Sequence, residues 1–405
     1  MQQIADPFLY TLLLIFVCAK LFGELFERLS LPAVLGEIAA GVVMGPFALH
    51  VIVPSASVES ISELGAIFLL FAVGLETHPR ELINVGRTSL GVALAGVVVP
   101  FAAGFVYVVL HGDSPQEATF VATAMVATSV GITARVLGDL GALQARAAKI
   151  ILAAAVFDDI IGILLLALVA GLASEAGVEW QPLVLLLAES VAFAVFMIFI
   201  APRIIRRMHG RLRHVTTRNA SLVIALAICL ALSVAAEKIG MAAIVGAFFA
   251  GIAFAEFAPE LGLRPQVNAL SEFLAPFFFF VMGAQLDLRV LTPKIILSVA
   301  IISVLAILSK VIGCGLPLLR EGWRTALKVG VGMTPRGEVG LIVALIGLNA
   351  KMISEEYYAV VILMIAVTTI FAPPVLRLLF RYPTFAESEL AKSPATAAAA
   401  AEPLQ

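Results

Sequence analysis

Two adjacent aspartates, Asp158 and Asp159, sit inside an apolar run, Ala155-Val156-Phe157-Asp158-Asp159-Ile160-Ile161-Gly162. Neighbouring side chains on a helix point about 100° apart, so one carboxylate can face a cation while the other faces a cavity. The cation within the same kind of sequence is Lys310, in Leu308-Ser309-Lys310-Val311-Ile312-Gly313. Burial and ion pairing act in opposite senses on the proton affinity of each group. A buried carboxylate–ammonium pair beside water can therefore be poised to exchange protons near neutral pH. An aspartyl protease is excluded, because its two aspartates must face each other from different elements. The patterns of zinc proteases, phosphate-binding loops and paired nucleophile and base are missing as well.

The surroundings of these charges explain why they must be functional. The chain has 405 residues, of which 61% are hydrophobic and 13% charged, with a mean hydropathy of +1.06. A soluble domain carries about 25% charged residues, so soluble enzymes, nucleic-acid binders and disordered scaffolds are disfavoured. The net charge of −2 offers no basic surface for nucleic acid. Cys18, Cys229 and Cys314 lie in apolar runs without disulfide or zinc spacing. The composition is that of an all-α polytopic membrane protein. A charged side chain at the centre of a bilayer costs about 2.5–3.5 kcal/mol even on the lenient insertion scale.

Apolar stretches fall at 7–27, 33–51, 60–76, 88–110, 117–137, 148–173, 182–202, 219–237, 241–257, 268–285, 293–318, 325–348 and 356–380. Thirteen spans of about 20 residues use about 260 residues, in line with the apolar fraction. The first stretch lacks a small-residue cleavage site and reads as a retained helix, not a signal peptide. One set of alternating loops carries Arg28, Arg80, Arg87, Arg146, Lys149, the six arginines from Arg203 to Arg218, Arg264, Arg320, Arg324, Arg377 and Arg381; the other carries Lys238, Arg289, Lys294 and Lys351. Lys and Arg accumulate on the cytoplasmic side, which places the N-terminus outside and the C-terminus inside. Residues 1–380 form the membrane domain, and 383–405, with its alanine run, reads as a disordered cytoplasmic tail.

Three segments recur in the same order. Ala33-Val34-Leu35-Gly36, followed by Gly41, returns as Ala243-Ile244-Val245-Gly246, followed by Gly251. Phe68 to Gly74 returns as Phe277 to Gly283, and Gly131-Ile132-Thr133-Ala134-Arg135 as Gly332-Met333-Thr334-Pro335-Arg336. Two six-helix repeats, spans 1–6 and 8–13, are thus joined by span 7 at 182–202. Corresponding spans are seven apart, an odd number, so the repeats are inverted. Inverted repeats with discontinuous helices near the midplane are an architecture of secondary transporters. Spans 5 and 12 are the discontinuous pair, interrupted at Thr128-Ser129-Val130-Gly131 and Gly332-Met333-Thr334-Pro335. Proline removes a backbone donor and glycine tolerates an unwound chain.

Arg336 and Glu338 follow the second break. They pair with each other, or Arg336 with Glu76 and Glu338 with Arg135, and either arrangement serves as an ion-pair brace or as part of an ion site. Glu37 and Glu189 read as partners of a hydroxyl, a backbone group or a lipid headgroup.

On Phe157-Asp158-Asp159, Ser309-Lys310, Gly74-Leu75-Glu76 and Thr334-Pro335-Arg336-Gly337-Glu338, the chain resembles the bacterial monovalent cation:proton antiporter-2 family, in its short sodium/proton form, over nearly all of 7–380. The resemblance implies the sodium/proton antiporter fold, in the bacterial inner membrane, without a cofactor. It implies a homodimer whose dimer-domain spans cover 7–76 and 219–285 and whose core-domain spans cover 88–173 and 293–380. It makes Asp159 the main ligand of Na⁺ (or K⁺) and of the proton, pairs Asp158 with Lys310, and has Thr128 and Ser129 contribute oxygens. Potassium-efflux relatives carry a nucleotide-binding domain and usually a Gln-Asp pair, from which this sequence departs. A sodium-coupled organic-anion symporter, which can share the same plan, is the alternative of another class.

Overall fold

The computed structural model describes residues 7–29, 31–77, 79–173, 180–212, 219–286 and 293–380. The expected tail at 383–405 and Arg289 lie outside them. Among the described residues there is no β-strand. The first half contains α1 (Pro7–Arg28), α2 (Ala33–Met44), α3 (Ala56–Leu75), α4 (Pro79–Leu110), α5 (Pro115–Ala124), α6 (Val130–Asp139) and α7 (Arg146–Ala173). A connecting helix, α8 (Trp180–Val195), continues through a π-helical turn at Phe196–Ile200 into α9 (Ala201–Leu212). The second half contains α10 (Ala220–Lys238), α11 (Ala243–Phe254), α12 (Leu263–Ala284), α13 (Pro293–Gly315), α14 (Trp323–Gly332), α15 (Glu338–Asn349) and α16 (Glu355–Phe380).

Every expected apolar stretch coincides with a helix or with a pair of half-helices. Among the described residues, eight helices are long and apolar enough to cross a membrane, whereas α2, α8, α11 and most of α15 are shorter apolar helices. A 12-residue helix covers about 18 Å of a hydrocarbon layer about 30 Å thick, so helix length alone does not count thirteen crossings. The fifth and twelfth stretches are each broken in two. Ser114 starts α5 by accepting a hydrogen bond from the Glu117 amide at 3.1 Å, with Pro115 in the first turn, where a proline costs no hydrogen bond.

The helices pack around two centres. At the first, α3 lies between α11 and α12, α12 also covers α2, and α1 and α10 flank α2 and α11. At the second, α4 packs on α13, α7 and α5, while α13 packs on α16 and α14. Replacing each helix by the one seven stretches later turns these contacts into one another. The contact between α1 and α2 becomes that between α10 and α11, and α4 on α7 becomes α13 on α16.

Glycine sets how closely the first centre is packed. A β-carbon at Gly41 would lie 2.0 Å from the Phe280 carbonyl oxygen, and one at Gly283 would lie 2.0 Å from that of Ile38. The equivalent crossing of α3 and α11 repeats this: 2.2 Å from Gly74 to the Phe248 oxygen and 2.3 Å from Gly251 to the Phe71 oxygen. Small residues at such crossings let helix backbones touch where no hydrophobic effect drives them together. Gly283→Ala is expected to destabilise the bundle by about 1–3 kcal/mol, because the backbone opposite must shift. Gly86→Ala, which meets nothing within 4 Å, is the control. Melting of the two detergent-purified variants checks this; equal melting temperatures would contradict it.

Candidate functional site

The second centre holds the buried charges. The break between α5 and α6 and the break between α14 and α15 lie against each other. The Ser129 amide donates to the Pro335 carbonyl at 2.8 Å, the Thr133 hydroxyl to Gly332 O at 2.7 Å and the Thr128 hydroxyl to Met333 O at 3.3 Å. Pro335 cannot continue α14, and Ser129 adopts an extended conformation before α6. Each break thus exposes helix-end carbonyls that must find donors, because unsatisfied backbone groups are costly away from water.

Two cations meet the α5 end. Lys310, on α13, is fully buried and uses all three of its donors: Gly96 O on α4 at 2.9 Å, Val126 O at the end of α5 at 2.8 Å, and Asp158 Oδ1 on α7 at 3.2 Å. Arg336, also fully buried, donates to Val126 O at 3.4 Å, Ala127 O at 3.3 Å and Ala306 O on α13 at 3.3 Å. Its own carbonyl accepts from the Thr369 hydroxyl on α16 at 3.1 Å. Positive charge at a helix C-terminus is favourable, since the last carbonyls carry partial negative charge. At the matching end of α14 the donors are threonine hydroxyls: Thr128, Thr133 and, to Gly330 O, Thr334 at 3.0 Å.

Asp158 is 3% exposed and spends its charge on Lys310. Asp159, one residue on, is half-buried, as is Thr128, while Ser129 is buried. Carboxylate and carbonyl oxygens at a desolvated crossing suit a hard cation, which exchanges its hydration shell for such ligands.

Among the described residues, the other expected side chains lie apart from this network or meet other partners. The Arg336 guanidinium binds carbonyls of α5 and α13, which replaces the expected ion pair with Glu76; a planar fork with five donors fits several fixed carbonyls better than one carboxylate. Arg135, midway along α6, lies 3.2 Å from Asp139, one turn on; its alternative pairing with Glu338 falls on a side chain outside the described residues. Glu338 opens α15; its side chain lies outside the described atoms. Glu76 ends α3, and its carbonyl accepts from the Gln144 side chain. Gly131 abuts the Phe278 ring, and Gly332 lies against Ile151 and Thr133. Glu189 is exposed, whereas Glu37 is 1% exposed and lies 3.7 Å from Lys20, a charged partner in place of the expected hydroxyl or headgroup.

A sequence profile of the family described as "Sodium/hydrogen exchanger, transmembrane" matches residues 12–382. The chain belongs to that family. This exchanger-family chain is 34% identical to the high-affinity Na(+)/H(+) antiporter NhaS3 of Synechocystis, over 92% of its own length and 89% of the relative's. It is 33% identical to the Na(+)/H(+)-K(+) antiporter GerN of Bacillus cereus, covering 92% and 96%, and 31% identical to an Na(+)/H(+) antiporter of Enterococcus hirae, covering 91% and 97%. Its fold is similar to that of the sodium proton antiporter MjNhaP1 from Methanocaldococcus jannaschii. One structure of that protein gives a TM-score of 0.61 over 91% of this chain and 94% of the other, and a second gives 0.68 over the full length of both, each at 18% identity. The family is one of transporters, not of enzymes.

What sequence reading missed in this exchanger-family site is backbone. The carbonyls of Gly96, Val126, Ala127 and Ala306 hold the two cations, and a carbonyl has no residue-type signature. Only the unwound Thr128-Ser129 segment hinted that carbonyls nearby would be free.

Proposed function

We propose that the chain is a secondary antiporter that exchanges a monovalent cation, Na⁺ or Li⁺, for protons across the bacterial inner membrane. The observation that carries this reading is the buried Lys310–Asp158 pair beside half-buried Asp159, at the crossing of two broken helices, in a family whose similar members are named as such antiporters. In this reading Asp159 holds either a proton or the cation, with oxygens from Thr128 and Ser129, so one binding event excludes the other. The helices cross only when the site is neutralised, and exchange follows from that competition.

Thirteen crossings in two inverted repeats put the N-terminus outside and the C-terminus inside. The first centre, α1–α3 with α10–α12, serves as the dimerisation scaffold of a homodimer, and the second, α4–α7 with α13–α16, as the core that moves against it like an elevator. Asp158–Lys310 supplies a second exchangeable proton, which makes exchange electrogenic. Potassium is the alternative cation, because one similar relative is named for Na⁺, H⁺ and K⁺ together.

The test is the purified protein in proteoliposomes with an internal pH dye, given Na⁺, Li⁺ or K⁺ in turn from mildly acidic to alkaline pH. Saturable, cation-dependent proton movement supports the reading and names the ion. No proton movement with any cation overturns it, and organic-anion uptake becomes the next assay. Lys310→Gln keeps hydrogen-bond donors for Gly96 O and Val126 O and removes the exchangeable ammonium. It is expected to abolish the dependence of exchange on membrane voltage while apparent cation affinity moves less than about threefold, ~0.7 kcal/mol. Voltage dependence equal to wild type would sink the two-proton reading.

A further inference from the structure

Away from the crossing, a second set of charges sits where the two packing centres meet. Glu37 on α2 belongs to the first centre and Arg135 on α6 to the second, and α2 and α6 touch. Glu37 is 1% exposed, and its Oε2 has no hydrogen-bond partner among the described residues; its Oε1 lies 3.7 Å from Lys20 Nζ on α1. Arg135 is 13% exposed, and its Nε–H likewise has no hydrogen-bond partner, although Asp139 Oδ1 lies 3.2 Å away, off the line of the N–H. A buried acceptor on one side and a buried donor on the other are thus left unsatisfied, and the two side chains are close enough for Arg135 to act electrostatically on Glu37.

Leaving both atoms unpaired is costly, and the close ion contact of each charge lies within its own packing centre, Lys20 for Glu37 and Asp139 for Arg135, while across the seam Arg135 acts on Glu37 at a distance. Ridges and grooves on α2 and α6 permit discrete displacements of up to about one helical turn, ~5.4 Å. We propose that Glu37 and Arg135 become partners in the opposite-facing state of the cycle. Arg135 exchanges Asp139 for Glu37, Glu37 exchanges Lys20 for Arg135, and the new pair crosses the seam and positions α6 against α2. Both are positioning residues; neither touches the cation. This inference rests on the exchange cycle proposed above.

A double-mutant cycle tests it. Glu37→Gln, Arg135→Gln and the double variant are assayed for cation-driven proton movement in proteoliposomes and for melting in detergent. Each single variant is expected to lower the maximal exchange rate about tenfold with the apparent KM for the cation within twofold. The double variant is expected to fall no further than the worse single, because the pair is lost only once. Coupling in melting temperature is expected to be smaller than coupling in rate, because in the state seen here Arg135 acts on Glu37 only at a distance. Rate losses that multiply, or a single variant with the wild-type rate, overturn the proposal. So does coupling as large in melting as in rate, which would place the pair in the resting state. A wild-type chain that moves no protons with any cation is a separate failure: it removes the exchange reading and this pairing with it.

Discussion

In Asp159→Asn, cation-driven proton movement is expected to fall to the level of empty liposomes. The amide matches the carboxylate in size, so the packing of α7 against α4 survives. It differs in the two properties that exchange requires, since it can neither release a proton near neutral pH nor carry the charge that balances a cation. Loss of one charge-assisted interaction is worth about 1.5–3 kcal/mol, or about 10- to 150-fold in occupancy. Loss of the titrating group removes the coupling altogether. The internal pH dye reads the result directly, and melting at the wild-type temperature shows that the variant is folded. Exchange at the wild-type rate would mean that the competing carboxylate lies elsewhere, with Asp158 as the next to replace.

The second large effect is on stability. Arg336 ties the α14–α15 break to the α5–α6 break and to α13 through three carbonyls. Arg336→Met fills similar volume but leaves Ala127 O without this donor, while Val126 O keeps Lys310 and Ala306 O keeps the Ser309 hydroxyl. An unsatisfied buried acceptor costs about 1–3 kcal/mol, so a loss of that size is expected. Arg336→Lys retains the charge without the planar fork and is expected to melt between the two. Scanning the three proteins in one detergent gives the order wild type, Lys, Met. A Met variant as stable as wild type would show that water replaces the guanidinium at no cost and that Arg336 does not brace the crossing.

How much of this was legible in the sequence follows from what each feature requires. Apolar length located the helices because lipid demands it, and the breaks in the fifth and twelfth stretches were marked by Pro335, Gly131 and Gly332, residues chosen for backbone reasons. The equivalence of Gly41 with Gly251 and of Gly74 with Gly283 was visible as a repeat and corresponds to two like helix crossings. Helix ends were not visible in the same way. α4 begins at Pro79, nine residues before its apolar stretch, and the connecting helix runs on to Leu212 through an arginine-rich segment, because polar residues extend a helix beyond the hydrocarbon layer without an apolar signature. The charges themselves stood out, since each is costly in lipid. Their partners did not, since spacing along the chain says nothing of which face meets which. Arg336 found carbonyls where Glu76 was one of the alternatives, Arg135 found Asp139, and Glu37 found Lys20.

The central claim is that cation and proton compete for one carboxylate, and proton release on cation binding measures this most directly. Purified protein in weakly buffered detergent solution would be titrated with Na⁺ while the pH is recorded, or titrated calorimetrically in two buffers of different ionisation enthalpy. The expected result is release of protons on binding, falling away at alkaline pH where the site is already deprotonated, and absent in Asp159→Asn. Saturable Na⁺ binding with no proton release at any pH would contradict the competition.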